Sequence, residues 1–215
     1  MKILILGISR SGTTSLRRGI QSQGYHTIGE PFKSNTHESL VYEFITGDRT
    51  YPLPELSEHK NICIKILCDQ VPKNIDLSFD DFIKLFVKDF DKIILLDRKN
   101  DIEHEESFIH LHWRMARNEK VHQSWTSDLI PETFKKQHYD EFRHTHLHLQ
   151  KEQLKKVSNF TSTDITWYED LYGTDRNKSL EIINNWNIEN LDSTKLNEYL
   201  HPKNKLKKSG KKSII

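Results

Sequence analysis

The sequence predicts an α/β fold, a three-layer domain with a parallel β-sheet flanked by helices, and three observations predict it. Lys2-Ile3-Leu4-Ile5-Leu6 is a short, continuous apolar run, the pattern of a central parallel strand covered on both faces. It stops at Gly7, and a polar turn bounded by Gly7 and Gly12 leads into Ser15-Leu16-Arg17-Arg18-Gly19-Ile20, which continues as a helix with Leu16 and Ile20 on one face. Two more apolar runs, 61–71 and 92–97, are separated by a stretch of helical period, as βαβ units require. The 215 residues are read as a single domain, 1–215, able to bury roughly 70% of the surface of its unfolded chain.

The first element is also the first functional signal. A strand, a glycine-bounded loop and a helix N-terminus bring successive backbone N–H groups to one point, where the helix dipole also favours negative charge. The spacing of Gly7, Gly12 and Thr14 matches GxxxxGK[ST], the phosphate-binding pattern of P-loop NTPases. Thr13, however, stands in the lysine's place, and that lysine reaches the β- and γ-phosphates of a nucleoside triphosphate. The cation lies inside the loop instead, as Arg10.

Arg10-Ser11-Gly12-Thr13-Thr14-Ser15-Leu16 resembles the 5′-phosphosulfate loop of the PAPS-dependent sulfotransferases, in which a basic residue precedes Ser-Gly-Thr-Thr (PAPS is 3′-phosphoadenosine 5′-phosphosulfate). Ser9 departs from it, since many members carry proline there. The resemblance implies a P-loop-NTPase-like fold of sulfotransferase type, with PAPS as donor co-substrate and no metal. It also implies that Arg10, Ser11, Gly12, Thr13, Thr14 and Ser15 hold the 5′-phosphate and the sulfuryl group.

After the helix ends near Gln23-Gly24, Tyr25-His26-Thr27-Ile28 predicts a second strand leading to Gly29-Glu30-Pro31-Phe32. Glu30 falls at a strand end beside the loop, where ligands gather in open parallel sheets. Glu-Pro-Phe resembles the place of the glutamate proposed as base in several carbohydrate-acting sulfotransferases, which implies that Glu30 takes the acceptor's proton; cytosolic members use a histidine. Residues 36–46 predict a helix capped by Thr36, and 47–54, with two prolines, predict a loop suited to an acceptor pocket. Asn61 to Val71 predicts the next buried strand. Leu77 to Phe90 has Phe79, Phe82, Ile83, Phe86, Val87 and Phe90 at helical spacing, a core face.

Lys92-Ile93-Ile94-Leu95-Leu96-Asp97 predicts a strand whose terminal aspartate also fits the pattern that holds Mg²⁺ in P-loop enzymes. The residues after Asp97 are similar to the sulfotransferase 3′-phosphate site, a basic residue at this strand end with a serine eight positions on. Lys99 and Ser107 have that separation, and Arg98 can replace Lys99. A 3′-phosphate needs charge-assisted donors, and these side chains supply them. Helices are predicted over 102–119, 131–157 and 175–186, a wall or lid over 121–130, and a last strand over 163–168 closing in Tyr168-Glu169-Asp170-Leu171. His144 and His148 share a helical face that His146 does not, which argues for a solvated face and against a metal site. Lys207, Lys208 and Gly210 resemble the C-terminal loop that covers the cofactor in this family; a flexible basic tail has the same composition.

Apolar content of 35% and charged content of 29% predict a modest core with long polar helices. The net charge is +1, and six lysines fall within residues 203–215; taking those six away leaves about −5 for residues 1–202. An acidic body argues against nucleic acid as the partner. Cys63 and Cys68, five apart on a strand, point to opposite faces and predict no disulfide. With no membrane span and no signal-peptide core, the expected compartment is the cytoplasm. The expected activity is transfer of a sulfuryl group from PAPS to a hydroxyl of a small-molecule or carbohydrate acceptor. Two alternatives stand beside it: a P-loop kinase using ATP and Mg²⁺ through Thr14 and Asp97, and a non-catalytic nucleotide or polyanion binder using the lysine tail.

Overall fold

The structure, a computed structural model, describes residues 1–32, 59–71, 78–117, 130–141 and 147–201. Among them are five strands: β1 (Lys2–Gly7), β2 (His26–Gly29), β3 (Ile62–Leu67), β4 (Lys92–Asp97) and β5 (Ile165–Trp167). The helices are α1 (Thr13–Gln21), α2 (Phe79–Leu85), α3 (Asp101–Ala116), α4 (Glu132–Glu141), α5 (His148–Thr161), α6 (Tyr168–Tyr172), α7 (Arg176–Asn185) and α8 (Ser193–Leu200), with a 3₁₀ turn at Val87–Asp89. All strand pairs are parallel, in the order β2-β3-β1-β4-β5. The α/β class, the parallel sheet and the helical flanks are as the sequence predicts, and they are consistent with a three-layer, P-loop-like fold.

The unbroken apolar run of β1 follows from its central place. Leu4 and Leu6 face one layer with Ile62, Ile64, Ile66, α2 and α5, where Phe79, Phe82, Leu154 and Val157 close the core. Ile3 and Ile5 face the other with Cys63, Ile94, Leu96, α1, α7 and α8, where Leu16, Ile20, Ile183, Leu196 and Leu200 do the same. Cys63 and Cys68 sit in opposite cores, so the faces expected from their spacing are the faces found. Both are free thiols. Burial pushes Cys63 up to about 12 and Cys68 well above its usual range, so both stay protonated packing groups.

Helix starts follow local chemistry. Ser78, Asn100, Asp175 and Asp192 each accept a backbone N–H two or three residues on, closing the first turns of α2, α3, α7 and α8. The 77–90 stretch ends in the 3₁₀ turn rather than running as one helix. Tyr168–Tyr172, expected to close the last strand, coils into α6. The expected helix over 131–157 corresponds to α4 and α5; residues 142–146, which include His144 and His146, lie outside the described residues. So do the expected helix 36–46 and loop 47–54, most of the 121–130 segment, and Lys207, Lys208 and Gly210. No described helix is long and apolar enough to cross a membrane.

This topology sets the site. After β1 the chain turns towards β2, and after β4 it turns towards β5, so a crevice opens at the C-terminal ends of β1 and β4. In open parallel sheets that is where ligands bind.

Candidate functional site

The loop from Gly7 to Thr13 is held from every side. A Cβ on Gly7 would lie 2.6 Å from Thr13 Cγ2 and 2.8 Å from the Leu96 carbonyl oxygen, so only glycine lets α1 start directly over the strand. Both the amide and the hydroxyl of Ser11 donate to the Ile8 carbonyl, at 3.2 and 2.7 Å, which closes the turn from within. Arg10 and Gly12 have φ of 71° and 87°. Left-handed residues in such a turn direct successive amides to one concave face. Gly12 has no side chain to cap α1, and the first turn of α1 carries no acidic residue. Its N–H groups and dipole are left for an anion.

Two other helices fix this loop. From α6, the Tyr172 hydroxyl donates to the Gly12 carbonyl at 2.7 Å, and the Tyr172 ring packs where a Gly12 side chain would be. From α3, fully buried His104 donates through Nε2 to the Ser9 carbonyl at 2.5 Å. Burial, with Arg98 and Lys151 nearby, pushes His104 down to about 4, so it serves as a neutral donor. One turn further along α3, Ser107 accepts from Arg10 Nε at 3.0 Å.

Arg10 is half-buried, and Ser107 is its hydrogen-bond partner among the described residues; no described carboxylate pairs with it. Burial lowers its pKa, and the charges of Arg98 and Arg114 lower it further. A guanidinium in that position is repelled by Arg98 and Arg114, an effect Tyr168 offsets in part, and has no carboxylate counter-ion among the described residues. It is the condition of a cation arranged for a bound anion.

Glu30 has φ 57° and directly follows β2, its amide bonded to the Lys65 carbonyl at 2.7 Å. Its carboxylate accepts from Lys65 Nζ and, at 3.1 Å, from Gln70 Nε2. Lys65 comes from inside β3, opposite Gly29 in register, and is 3% exposed. Gln70 is fixed in turn, since its Oε1 accepts the Leu67 amide at 3.2 Å.

At the end of β4 the basic residues have acidic partners. Arg98 stacks over the Tyr168 ring at 4.3 Å, donates to the Glu103 carbonyl, and lies 3.8 Å from the Glu169 carboxylate. Lys99 Nζ donates to both oxygens of Asp170, at 2.9 and 2.8 Å, and Lys178 shares that carboxylate. Glu169 accepts the amides of Lys99 and Asn100. The eight-residue spacing from Lys99 to Ser107 therefore does not yield a pair: α3 turns Ser107 towards Arg10, while α6 draws Lys99 to Asp170. Asp97 is buried, accepts the Arg98 amide at 2.7 Å and lies 3.8 Å from Lys151 Nζ. Burial raises its pKa.

No protein-family profile and no curated protein matches this chain. Arg10, Ser11 and Gly12 on the loop and Thr13, Thr14 and Ser15 in the first turn of α1 lie together, and the fold adds Ser107 from α3. It also adds residues that the sequence did not single out for the site, namely Lys65, Gln70, His104, Arg114 and Tyr172. Lys65 had a readable signal, being the one charge in the run Ile62–Leu67; the others act through contacts between distant segments and had none.

Proposed function

We propose that this protein is a PAPS-dependent sulfotransferase acting on an acceptor hydroxyl. The observation that supports this reading best is Arg10, a half-buried guanidinium without a described carboxylate, set in a left-handed loop at an uncapped helix start. The donor set fits the phosphosulfate end of PAPS, which when bound supplies the sulfuryl group. Arg10 and the loop amides hold the oxyanions and stabilise charge that develops as the S–O bond to the 5′-phosphate breaks. Ser107 and His104 fix Arg10 and the backbone just before it. Glu30, oriented by Lys65 and Gln70, takes the acceptor's hydroxyl proton while the acceptor oxygen forms the new bond to sulfur, so the products are the sulfate ester and PAP.

The kinase alternative needs Asp97 as a Mg²⁺ partner. Asp97 instead sits under Lys151 and the Arg98 amide, which favours the sulfuryl reading. A thermal-shift comparison of PAP with ATP plus Mg²⁺, each with and without EDTA, tests the choice. At a hundred times its Kd a ligand stabilises by about 2.7 kcal/mol, or several degrees in a domain of this size. PAP stabilisation that survives EDTA is the expected result; stabilisation by ATP and Mg²⁺ alone would make the protein kinase-like.

A further inference from the structure

Helix α1 carries a second arginine that points at the same end of the sheet. Helical side chains lean towards the helix N-terminus, so Arg17, in the second turn of α1, reaches back to the C-terminal end of β2. There its Nη1 donates to Thr27 Oγ1 at 2.8 Å. The guanidinium lies over Gly29, where a Cβ would be 3.3 Å from both Cζ and Nε. Its charge also reaches Cys63, the register partner of Thr27.

Strand alternation gives this contact its meaning. Thr27, Gly29, Cys63 and Lys65 share the α1 side of the sheet, and the residue after Gly29 is Glu30. The Glu30 carboxylate is bonded by Lys65 and Gln70. Arg17 is thus a half-buried cation beside the proposed base, with the Thr27 hydroxyl as its partner and no carboxylate among the described residues. A guanidinium has five donors in a fixed fork suited to carboxylate or phosphate.

Resting on the sulfotransferase reading, we propose that the acceptor is an acidic hydroxyl compound, and that Arg17 receives its anionic group while Glu30 takes the hydroxyl proton. Arg17 is then a specificity-determining residue, and Gly29 leaves its guanidinium room against the strand end.

Matched pairs test this on the PAP complex by thermal shift and with labelled PAPS by transfer. 4-Nitrophenyl β-D-glucuronide against the glucoside isolates a carboxylate, and D-glucose 6-phosphate against D-glucose isolates a phosphate. The acidic member of at least one pair should give the larger shift and about a 10–100-fold higher kcat/KM, as a charge-assisted bidentate contact allows. Arg17→Gln should abolish that preference and Arg17→Lys should keep part of it. Gly29→Ala, whose Cβ would press on the guanidinium at 3.3 Å, should reduce the preference without abolishing it, and an undiminished preference in that variant counts against the proposal if Arg17→Gln does not fold. PAP stabilisation should be the same in all of these proteins. Equal response to both members of both pairs, or a preference that survives Arg17→Gln, overturns the proposal while leaving the PAP result standing. A wild-type protein that ignores PAP overturns the sulfotransferase reading itself.

Discussion

Two groups of basic residues meet at the crevice between β1 and β4, and they differ in what stands opposite each cation. Arg98 and Lys99, at the end of β4, face Glu103, Glu169 and Asp170, and Arg98 stacks against Tyr168. Arg10, in the loop after β1, faces a serine hydroxyl and two other arginines. The first group has its charges compensated without a ligand, although the buried Arg98 Nε makes no hydrogen bond among the described residues, and it ties α6 to the start of α3. The second is left repulsive by the fold. Residue type does not separate them, since both are basic residues at a strand end; charge compensation does, and on the proposed reading the loop is the anion site and the β4 end its frame.

The largest test of that contrast is Arg10→Ala. Loss of one transition-state donor should lower kcat by about 10²–10³-fold, while the melting temperature holds or rises because a repelled, desolvated cation is removed. Near-normal turnover would sink the role given to Arg10. Arg98→Ala should behave in the opposite way. Removing a stacked, ion-paired side chain should destabilise the fold by about 1–3 kcal/mol, and kcat of the remaining folded protein should fall far less than in Arg10→Ala.

Next in size is the Glu30–Lys65 pair. Breaking a buried pair by removing one partner costs about 3–5 kcal/mol. Glu30 is 23% exposed and Lys65 is 3% exposed, so solvent reaches the carboxylate and Glu30→Gln should cost nearer 2–3 kcal/mol. It should also remove transfer activity. Adding Lys65→Met to Glu30→Gln should restore part of the stability and none of the activity, which chemical denaturation and a transfer assay read separately. Recovery of transfer in the double variant would take Glu30 out of the mechanism.

How much of the fold and site is legible in the sequence depends on sequence distance. β1, the loop and α1 lie within the first 21 residues, and local period, glycine spacing and turn chemistry specify them together. The strand runs at 62–67 and 92–97 are equally plain, because a strand covered on both faces must be apolar throughout. α8 was missed although its signals are present, with Asp192 as N-cap and Leu196 and Leu200 four apart on the buried face. The links Arg10–Ser107, His104–Ser9 and Tyr172–Gly12 span 97, 95 and 160 positions. No period or spacing rule carries such contacts; they exist only once strand order has folded α3 and α6 onto the loop. The Arg10–Ser107 contact was illegible for the same reason, since a count along α3 cannot show which strand end Ser107 faces.

A smaller effect sits beneath the loop at His104. Burial holds its pKa at about 4, against an ordinary value of 6.5. Between these values the unfolded chain binds a proton that the folded chain does not, so stability is full above about pH 6.5 and falls as the pH drops towards 4. The loss is on the order of 3 kcal/mol at most. Glu169 and Asp170, held below the usual carboxylate range, also lose stability on acidification, at lower pH; Asp97, raised by burial, works in the opposite sense. His104→Gln, which keeps an N–H for the Ser9 carbonyl, should flatten the melting-temperature profile between pH 4 and 6.5 and leave the more acidic limb in place. An unchanged profile would mean that His104 is not the group that titrates there.

The smallest effect draws the boundary between site and frame most sharply. Lys99 is 47% exposed and shares Asp170 with Lys178, so Lys99→Ala removes one of two cations from a carboxylate that keeps the other. An exposed pair of this kind contributes about 0.2–1 kcal/mol. If Lys99 is frame, PAP should bind the variant within about twofold of wild type, because that stability change sits outside the anion site. If Lys99 instead leaves Asp170 to receive a 3′-phosphate, the loss of a charge-assisted contact should weaken PAP by about tenfold or more while AMP, which lacks that phosphate, is unaffected. Comparing PAP with AMP on wild type, Lys99→Ala and Arg10→Ala thus assigns each cation by which phosphate it feels. Arg10→Ala should weaken both ligands, and a Lys99→Ala variant that weakens PAP alone would move the β4 end from the frame into the site.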